Sequence, residues 1–317
     1  MEETFKILKQ GTGAGLGKGW HSFVWMMKII VPISFLTMLL VWSGWLHYLD
    51  ALLKPAMGFI NLPPSAALPI VIGMLAGIYG GIAAMVSLPL TPDQMTLVGI
   101  FLLTAHNLIQ EGIIQGKSGI HPLKATFCRI GCAVLTLVLL TPWFPHTAED
   151  IGTPLATTAL QPLFATALQN WLVSTAWLTG QVFLIIMSLL TILELLKISG
   201  WIRYIVALLL PFLKVMGLDR KLAFSWITAI IFGVAYGGSV IMEESKGGNI
   251  AREAVEALHL SIGINHSMIE DTLLLVALGL SAFWLYVPRL LMAIAAVHLL
   301  KLWRLIKQPG VRSQYPE

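Results

Sequence analysis

Apolar residues run along this chain in blocks of about 20, separated by short polar or Pro/Gly-rich breaks. Long blocks extend from about Phe23 to Leu46, Ser65 to Val86, Leu123 to Leu140, Trp171 to Leu195, Leu222 to Met242 and Thr272 to Leu299. Two shorter ones, Met95 to Ile109 and Ala254 to Ile264, run into the polar segments QEGIIQGKSGIHP and NHSMIED. A helix needs roughly 20 apolar residues to cross ~30 Å of hydrocarbon, so the long blocks read as spans and the short ones as pieces that enter and return. Leu/Ile/Val/Met-rich runs of this length predict helices, because backbone groups in lipid must be satisfied within the segment. The half-polar stretches after the first long block and around ISGWIRYIVALLLPFLKVMGLDRK read as interfacial helices. Thr91, followed by Pro92, has the form of a helix start with the cap ahead of proline.

The pattern occurs twice. Ser43-Gly44-Trp45, Tyr79-Gly80-Gly81, His106 with Glu111, and Arg129 recur in the same order as Ser199-Gly200-Trp201, Tyr236-Gly237-Gly238, His266 with Asp271, and Arg289. The offsets are 156, 157, 160 and 160 residues. A repeat in a hydrophobic chain is the mark of a transporter built from two related halves. The expected organisation is a cytoplasmic segment 1–22, a first repeat 23–142, a connector 143–170, a second repeat 171–300 and a basic tail 301–317.

Composition agrees: 57% of the 317 residues are hydrophobic and 11% charged, too few charges to cover a water-facing surface of this size. The net charge of +4 comes from Lys and Arg in loops and tail, and so implies lipid rather than nucleic acid as partner. MEETFKILKQ lacks the apolar core and cleavage site of a removable signal. Bases precede the first span, lie between spans of the second half and fill the tail, whereas the connector has none. The positive-inside rule therefore predicts both termini in the cytoplasm of a bacterial-type inner membrane, with the connector outside. That demands an odd number of crossings per half. The predicted fold is an all-α polytopic membrane protein of two inverted repeats, each with three spans, a re-entrant hairpin and an interfacial helix. A plain eight-span bundle is the alternative, with a parallel repeat.

The candidate chemistry lies where the polar residues fall. His106, Asn107, Gln110 and Glu111 in one half match Asn265, His266, Glu270 and Asp271 in the other. Ionisable groups at membrane depth face a polar cavity or one another. Imidazoles flanked by carboxylates suit a divalent cation, with His106, Glu111, His266 and Asp271 as the metal candidates, or a proton relay. The same groups also suit capping and pairing at helix ends. Tyr79, Gly80, Gly81 and their counterparts Tyr236, Gly237 and Gly238 fit locally broken helices on a transport pathway, or plain close packing. Arg129 and Arg289 read as snorkelling residues, or as partners of the acidic groups. Glu194 and Lys197, three apart, form an interfacial pair. Cys128 and Cys132 share a helix face and read as packing. GTGAGLGKG lacks the spacing of a phosphate loop, and no catalytic motif is present, so an enzyme is not expected. No cofactor is expected beyond a coupling proton or cation.

Ile30, Pro32, Phe35, Ser43, Gly44, Leu53, Pro55, the turn Leu62-Pro63-Pro64, Gly77 to Gly81 and Leu103 to Gly112 together resemble the Gate, or nucleoside-recognition, membrane domain. That domain is shared by concentrative nucleoside transporters, the gates of FeoB-type ferrous-iron transporters and the spore maturation A and B proteins. The resemblance covers about residues 25 to 300 in two copies. It implies a permease for a small solute or ion, working by alternating access between the repeats, and allows for homo-oligomers. A non-transporting assembly protein of the spore-maturation type and a divalent-metal transporter are the alternatives it leaves.

Overall fold

A computed structural model describes residues 2–144, 163–234, 237–238, 240–242 and 251–307. The helices are α1 (Glu2–Trp42), α2 (Trp45–Phe59), α3 (Ala67–Ala76), α4 (Ile78–Val86), α5 (Pro92–Ala105), α6 (Leu108–Lys117), α7 (Pro122–Leu140), α8 (Phe164–Ile198), α9 (Ile202–Val215), α10 (Ala223–Phe232), α11 (Arg252–Asn265), α12 (Glu270–Ala277) and α13 (Ala282–Lys307). Among the described residues there is no strand. Tyr236, Glu243, Glu244 and most of the connector lie outside the described residues. Among the described residues five segments are long and apolar enough to cross a membrane: Leu8–Trp42, Pro92–Lys117, Pro122–Trp143, Phe164–Ile198 and Ala282–Lys307. A sixth is possible if Leu53–Phe59 and Pro64–Ala76, bent by 88°, count as one span.

The long helices α1 and α8 pack along each other. At 1.5 Å per residue, the 35-residue Leu8–Trp42 segment reaches ~50 Å, well beyond the hydrocarbon thickness. Residues 2–22 therefore continue the first span's helix. The glycine run that resembles a phosphate loop has a packing cause. Gly11, Gly15 and Gly19 recur every four residues and let α8 approach; a Cβ on Gly15 would lie 2.4 Å from the Cα of Thr191. Gly13 and Gly17 point the other way, into open space. Glu194 of α8 accepts from Lys18 of α1 at 2.8 Å and from Lys197 at 3.3 Å.

Two predicted spans fold back on themselves. α3 and α4 meet at Gly77, whose φ of 90° and ψ of 175° exclude L side chains. The hairpin is closed by glycine contacts: a Cβ on Gly81 would stand 3.1 Å from the carbonyl oxygen of Pro69, and one on Gly73 3.6 Å from Gly81 Cα. Gly233 repeats the turn with φ 85° and ψ 174°, and a Cβ on Gly237 would lie 2.4 Å from Ala229 Cβ. The sequence reading had 65–86 crossing and 95–109 turning back; the structure reverses these roles. Hydropathy cannot register a reversal at one glycine, and it penalises polar residues that are buried by protein instead of lipid.

α5 and α6 together form one 26-residue span, Pro92–Lys117, broken at His106 and Asn107. α5 starts in a capping box, with Thr91 and Gln94 each accepting from the other's backbone N–H and Pro92 in the first turn. It is 14 residues long, ~21 Å, so the break lies well inside the 26-residue stretch. α11 and α12 flank the matching break at 266–269. His266 and Glu270 therefore do not share one helical face.

The duplication is also written in backbone conformation. The ten described residues with positive φ form five pairs: Gly44 with Gly200, Asn61 with Gly217, Gly77 with Gly233, Asn107 with Ser267, and Gly119 with Gly279. The first three pairs are 156 residues apart and the last two 160. Gly81 N–H donates to Gly77 O and Gly237 N–H to Gly233 O. Gly81 and Gly237 are thus equivalent, and the two Tyr-Gly-Gly triplets stand one residue out of register. Each half has its own apolar core, yet Leu178, Val182, Ile186, Leu275 and Leu285 join the core of the first half.

A Gly15→Ala substitution is expected to wedge α1 from α8 and destabilise the protein by ~1–3 kcal/mol. Gly17→Ala, facing open space, is expected to be neutral or stabilising by up to ~1 kcal/mol through helix propensity. Thermal unfolding in detergent checks this; equal melting temperatures for the two variants would contradict the packing described.

Candidate functional site

Breaking a helix inside a membrane frees backbone groups that lipid cannot pair, each costing several kcal/mol if left unsatisfied. At the first break Arg129 of α7 supplies the donors. Its Nε donates to Thr104 O at 2.9 Å, one terminal nitrogen to His106 O at 2.8 Å, and the other to Glu111 Oε2 at 2.5 Å. Arg289 of α13 does the same at the second break, donating to Ile264 O at 3.3 Å and His266 O at 2.8 Å. Its third contact is the Thr272 hydroxyl, at 3.4 Å, where Arg129 has a carboxylate. Arg129 is 2% exposed and Arg289 0%, which rules out the snorkelling reading. The planar fork of guanidinium suits this three-way contact in a way an ammonium does not.

The hairpin tips close on the breaks. Asn107 N–H donates to Gly73 O at 2.9 Å, and Ser267 N–H to Ala229 O at 3.2 Å. A Cβ on Gly233 would lie 2.7 Å from the Ser267 hydroxyl. Tyr79 of the first hairpin donates its hydroxyl to Glu270 of the second half and takes Trp25 edge-on, with ring centroids 6.2 Å apart.

These constraints bring the two histidines together. Their Nε2 atoms face each other at 3.4 Å, with both residues buried. Each Nδ1 lies against a carbonyl one turn back in its own helix: His106 on Leu102 O at 2.7 Å, His266 on Ile262 O at 2.9 Å. A carbonyl only accepts, so each Nδ1 carries its proton and each neutral Nε2 presents a lone pair to the centre. Glu111 Oε1 lies 3.4 Å from His106 Nε2, Glu111 Oε2 3.4 Å from His266 Nε2, and Asp271 Oδ2 3.6 Å from His106 Nε2. With both imidazoles neutral the centre is lined by acceptors alone, and the carboxylates cross between the repeats. With Glu270, three carboxyl groups stand among two guanidiniums, leaving one unit of negative charge when all three are ionised and the imidazoles and Tyr79 are neutral. Such a centre calls for a proton or a metal cation.

Of the residues expected to line a pathway, His106, Glu111, His266 and Asp271 converge here, with Tyr79 and Glu270 paired beside them. Asn107 forms the break, and its amide donates outward to Gln110, which is exposed. Gly80, Gly81 and Gly237 serve hairpin packing, and Gly238 approaches Ile114 of the first half, where a Cβ would come within 2.5 Å. Asn265 is fully buried, and its amide has no hydrogen-bond partner among the described residues. Sequence reasoning missed Gln115 and His259. Gln115 Nε2 donates to His259 O at 3.1 Å and His259 Nε2 to Ser118 O at 3.0 Å, leaving Gln115 Oε1 and His259 Nδ1 buried without hydrogen-bond partners among the described residues. No motif marks them; their only sequence signal is polarity inside apolar helices. Cys128 and Cys132 are free and half-buried on α7, and neither belongs to the group of ligand atoms.

Arg129→Ala strands two carbonyls and the Glu111 carboxylate, and the expected loss is ~3–5 kcal/mol of stability. Arg129→Lys is expected to recover little, and Arg289→Ala to cost less than Arg129→Ala because its third contact is a hydroxyl. Melting temperatures of the variants in detergent check the order; a lysine that restores wild-type stability would refute the three-way contact.

Over 297 residues the chain is 26% identical to the uncharacterized membrane protein YvoD of Bacillus subtilis (strain 168), covering 92% of this chain and 95% of that protein. No family model and no solved structure matches it. Helices of membrane-crossing length and this likeness along nearly the whole chain together make it an all-helical, polytopic membrane protein in contact with the lipid bilayer.

Proposed function

We propose that the protein is a permease of the bacterial inner membrane for a small solute or ion. It works by alternating access between two inverted Gate-type repeats, with both termini in the cytoplasm. The observation that carries this reading is the meeting of two broken spans, one from each half, at a single buried centre with the histidine Nε2 atoms 3.4 Å apart. Discontinuous helices at matching positions of two halves are the physical form of a transport site, because unwound backbone and helix ends offer a solute polar groups inside the membrane. A scaffold or assembly protein has no need to bury such groups together, and would carry them on separate wet surfaces.

Three further features support the reading. The first half has three segments of membrane-crossing length and the second has two, with α11 and α12 standing where the first half has its broken span; an inverted arrangement takes that pair as the third crossing of the second half. The hairpin tips touch the breaks, so a shift of either hairpin moves the centre with it. The unpaired amide of Asn265 and the free acceptors on Gln115 and His259 are buried polar groups that a passing solute can satisfy. The centre is closed between the halves in this conformation. The reaction is transport without covalent change, so no enzymatic step is assigned.

The test is uptake by proteoliposomes against a panel of nucleosides, divalent cations and organic anions. The wild-type protein is expected to move one member of the panel, and the His106→Ala/His266→Ala double variant to fall to the rate of protein-free vesicles. Flux by the double variant at the wild-type rate would refute the role of the centre. The absence of flux for every panel member would remove the support for a permease.

A further inference from the structure

We infer that His106, His266 and Asp271 form a binding site for one first-row transition-metal dication of the Zn2+ class, with Glu111 as a carboxylate held in reserve by Arg129. The inference deepens the permease reading by naming the ligand of its centre, but it concerns equilibrium binding and does not need transport to hold.

The spacing of the ligand atoms suits a metal. The two Nε2 atoms stand 3.4 Å apart, longer than a well-formed hydrogen bond. Two imidazole nitrogens bound ~2.0–2.1 Å from a tetrahedral zinc lie ~3.4 Å from each other. Asp271 Oδ2 is 3.6 Å from His106 Nε2, and the three ligand atoms lie within 4.8 Å of one another.

The orientation of the ligands points the same way. A metal-binding histidine typically donates its second ring nitrogen to a carbonyl or carboxylate, which fixes the tautomer and aims the lone pair. Both histidines have that second contact, through Nδ1 to Leu102 O and Ile262 O. These carbonyls belong to the last turns of α5 and α11, so the helix breaks themselves aim the ligands. All three ligand residues are buried, which keeps bulk water away from the nitrogens.

Charge is accounted for as well. The carboxylates outnumber the guanidiniums by one, and Glu111 is committed to Arg129 at 2.5 Å while remaining 3.4 Å from each Nε2. Three ligands leave a fourth position that Glu111 or an incoming group can fill, the arrangement of an exchangeable rather than a closed structural site. The donor set selects the metal. Two imidazoles and a carboxylate suit Zn2+, Co2+, Fe2+ or Mn2+; Mg2+ prefers an octahedron of oxygens, and the absence of thiolate or thioether among the ligand atoms disfavours Cu+.

The experiment is metal titration of the purified, chelator-stripped full chain in detergent, by calorimetry with Zn2+ and by visible absorption with Co2+. The expected result is saturable binding of one equivalent per chain. Mg2+ should not compete, and the Co2+ spectrum should be that of a four- or five-coordinate nitrogen/oxygen site without thiolate charge-transfer bands. His106→Gln, His266→Gln and Asp271→Asn are each expected to weaken binding ~100-fold or more, while Cys128→Ser/Cys132→Ser leaves it unchanged. The wild-type result stands without the variants, should any of them fail to fold. No saturable uptake of Zn2+ or Co2+ by the wild-type protein, which would leave a proton site only, overturns the inference. So does binding that survives the histidine variants or disappears with the cysteines. One equivalent of metal bound by a protein that moves nothing in vesicles would keep this site and sink the permease; flux without metal binding would do the reverse.

Discussion

Two arginines buried against broken helices are the constraint on which the rest of this structure depends. A span interrupted inside lipid leaves carbonyls with no partner, and the interruption is tolerated only where protein supplies donors. Arg129 and Arg289 do so in the same way, each donating to two carbonyls at the end of the helix that leads into its break. Once the backbone at His106 and His266 is held open, the imidazoles stay on the last turns of their helices and their Nε2 atoms meet. The cost of burying two guanidiniums is offset by these hydrogen bonds and by the carboxylates nearby. A single fork of donors thus links helix geometry, burial of charge and the chemistry of the centre.

The two copies share a backbone but differ in electrostatics. Every described residue of positive φ has its counterpart, so the chain reverses and breaks at the same places in both halves. The side chains at equivalent places do different things. Glu111 is paired with its own half's arginine, whereas Arg289 reaches a threonine hydroxyl and Asp271 looks across to His106. Tyr79 of the first half holds Glu270 of the second. Equivalent backbones thus carry unequal charge, and both halves contribute side chains to the one centre.

Much of the site was legible from the chain. Four of the residues that converge were picked out by a repeated spacing of histidine and acid in an apolar setting, and the repeat reported Arg129 and Arg289 as landmarks. Their role was not legible, because an arginine near the start of a span has the same sequence signature whether it reaches for head groups or for a carbonyl. The hairpin was assigned to the wrong stretch for a related reason. Val71 to Met85 is continuous apolar sequence, and only the φ of Gly77 turns it back. Pro92 to Lys117 loses hydropathy at His106 to Glu111, although His106 and Glu111 are buried within the protein. Gln115 and His259 lie 144 residues apart and carry no shared motif, so their contact was invisible.

By itself the sequence determined the class of solvent, the helical character, the duplication and the residue types at the centre. These follow from apolar run length, charge content and spacing, which are local properties of the chain. The tertiary structure decided which stretch reverses, which arginine satisfies which carbonyl, and that the two histidines face each other at 3.4 Å. Those depend on contacts between residues about 160 positions apart and on the dihedral angles of single residues. Neither leaves a trace in local hydropathy.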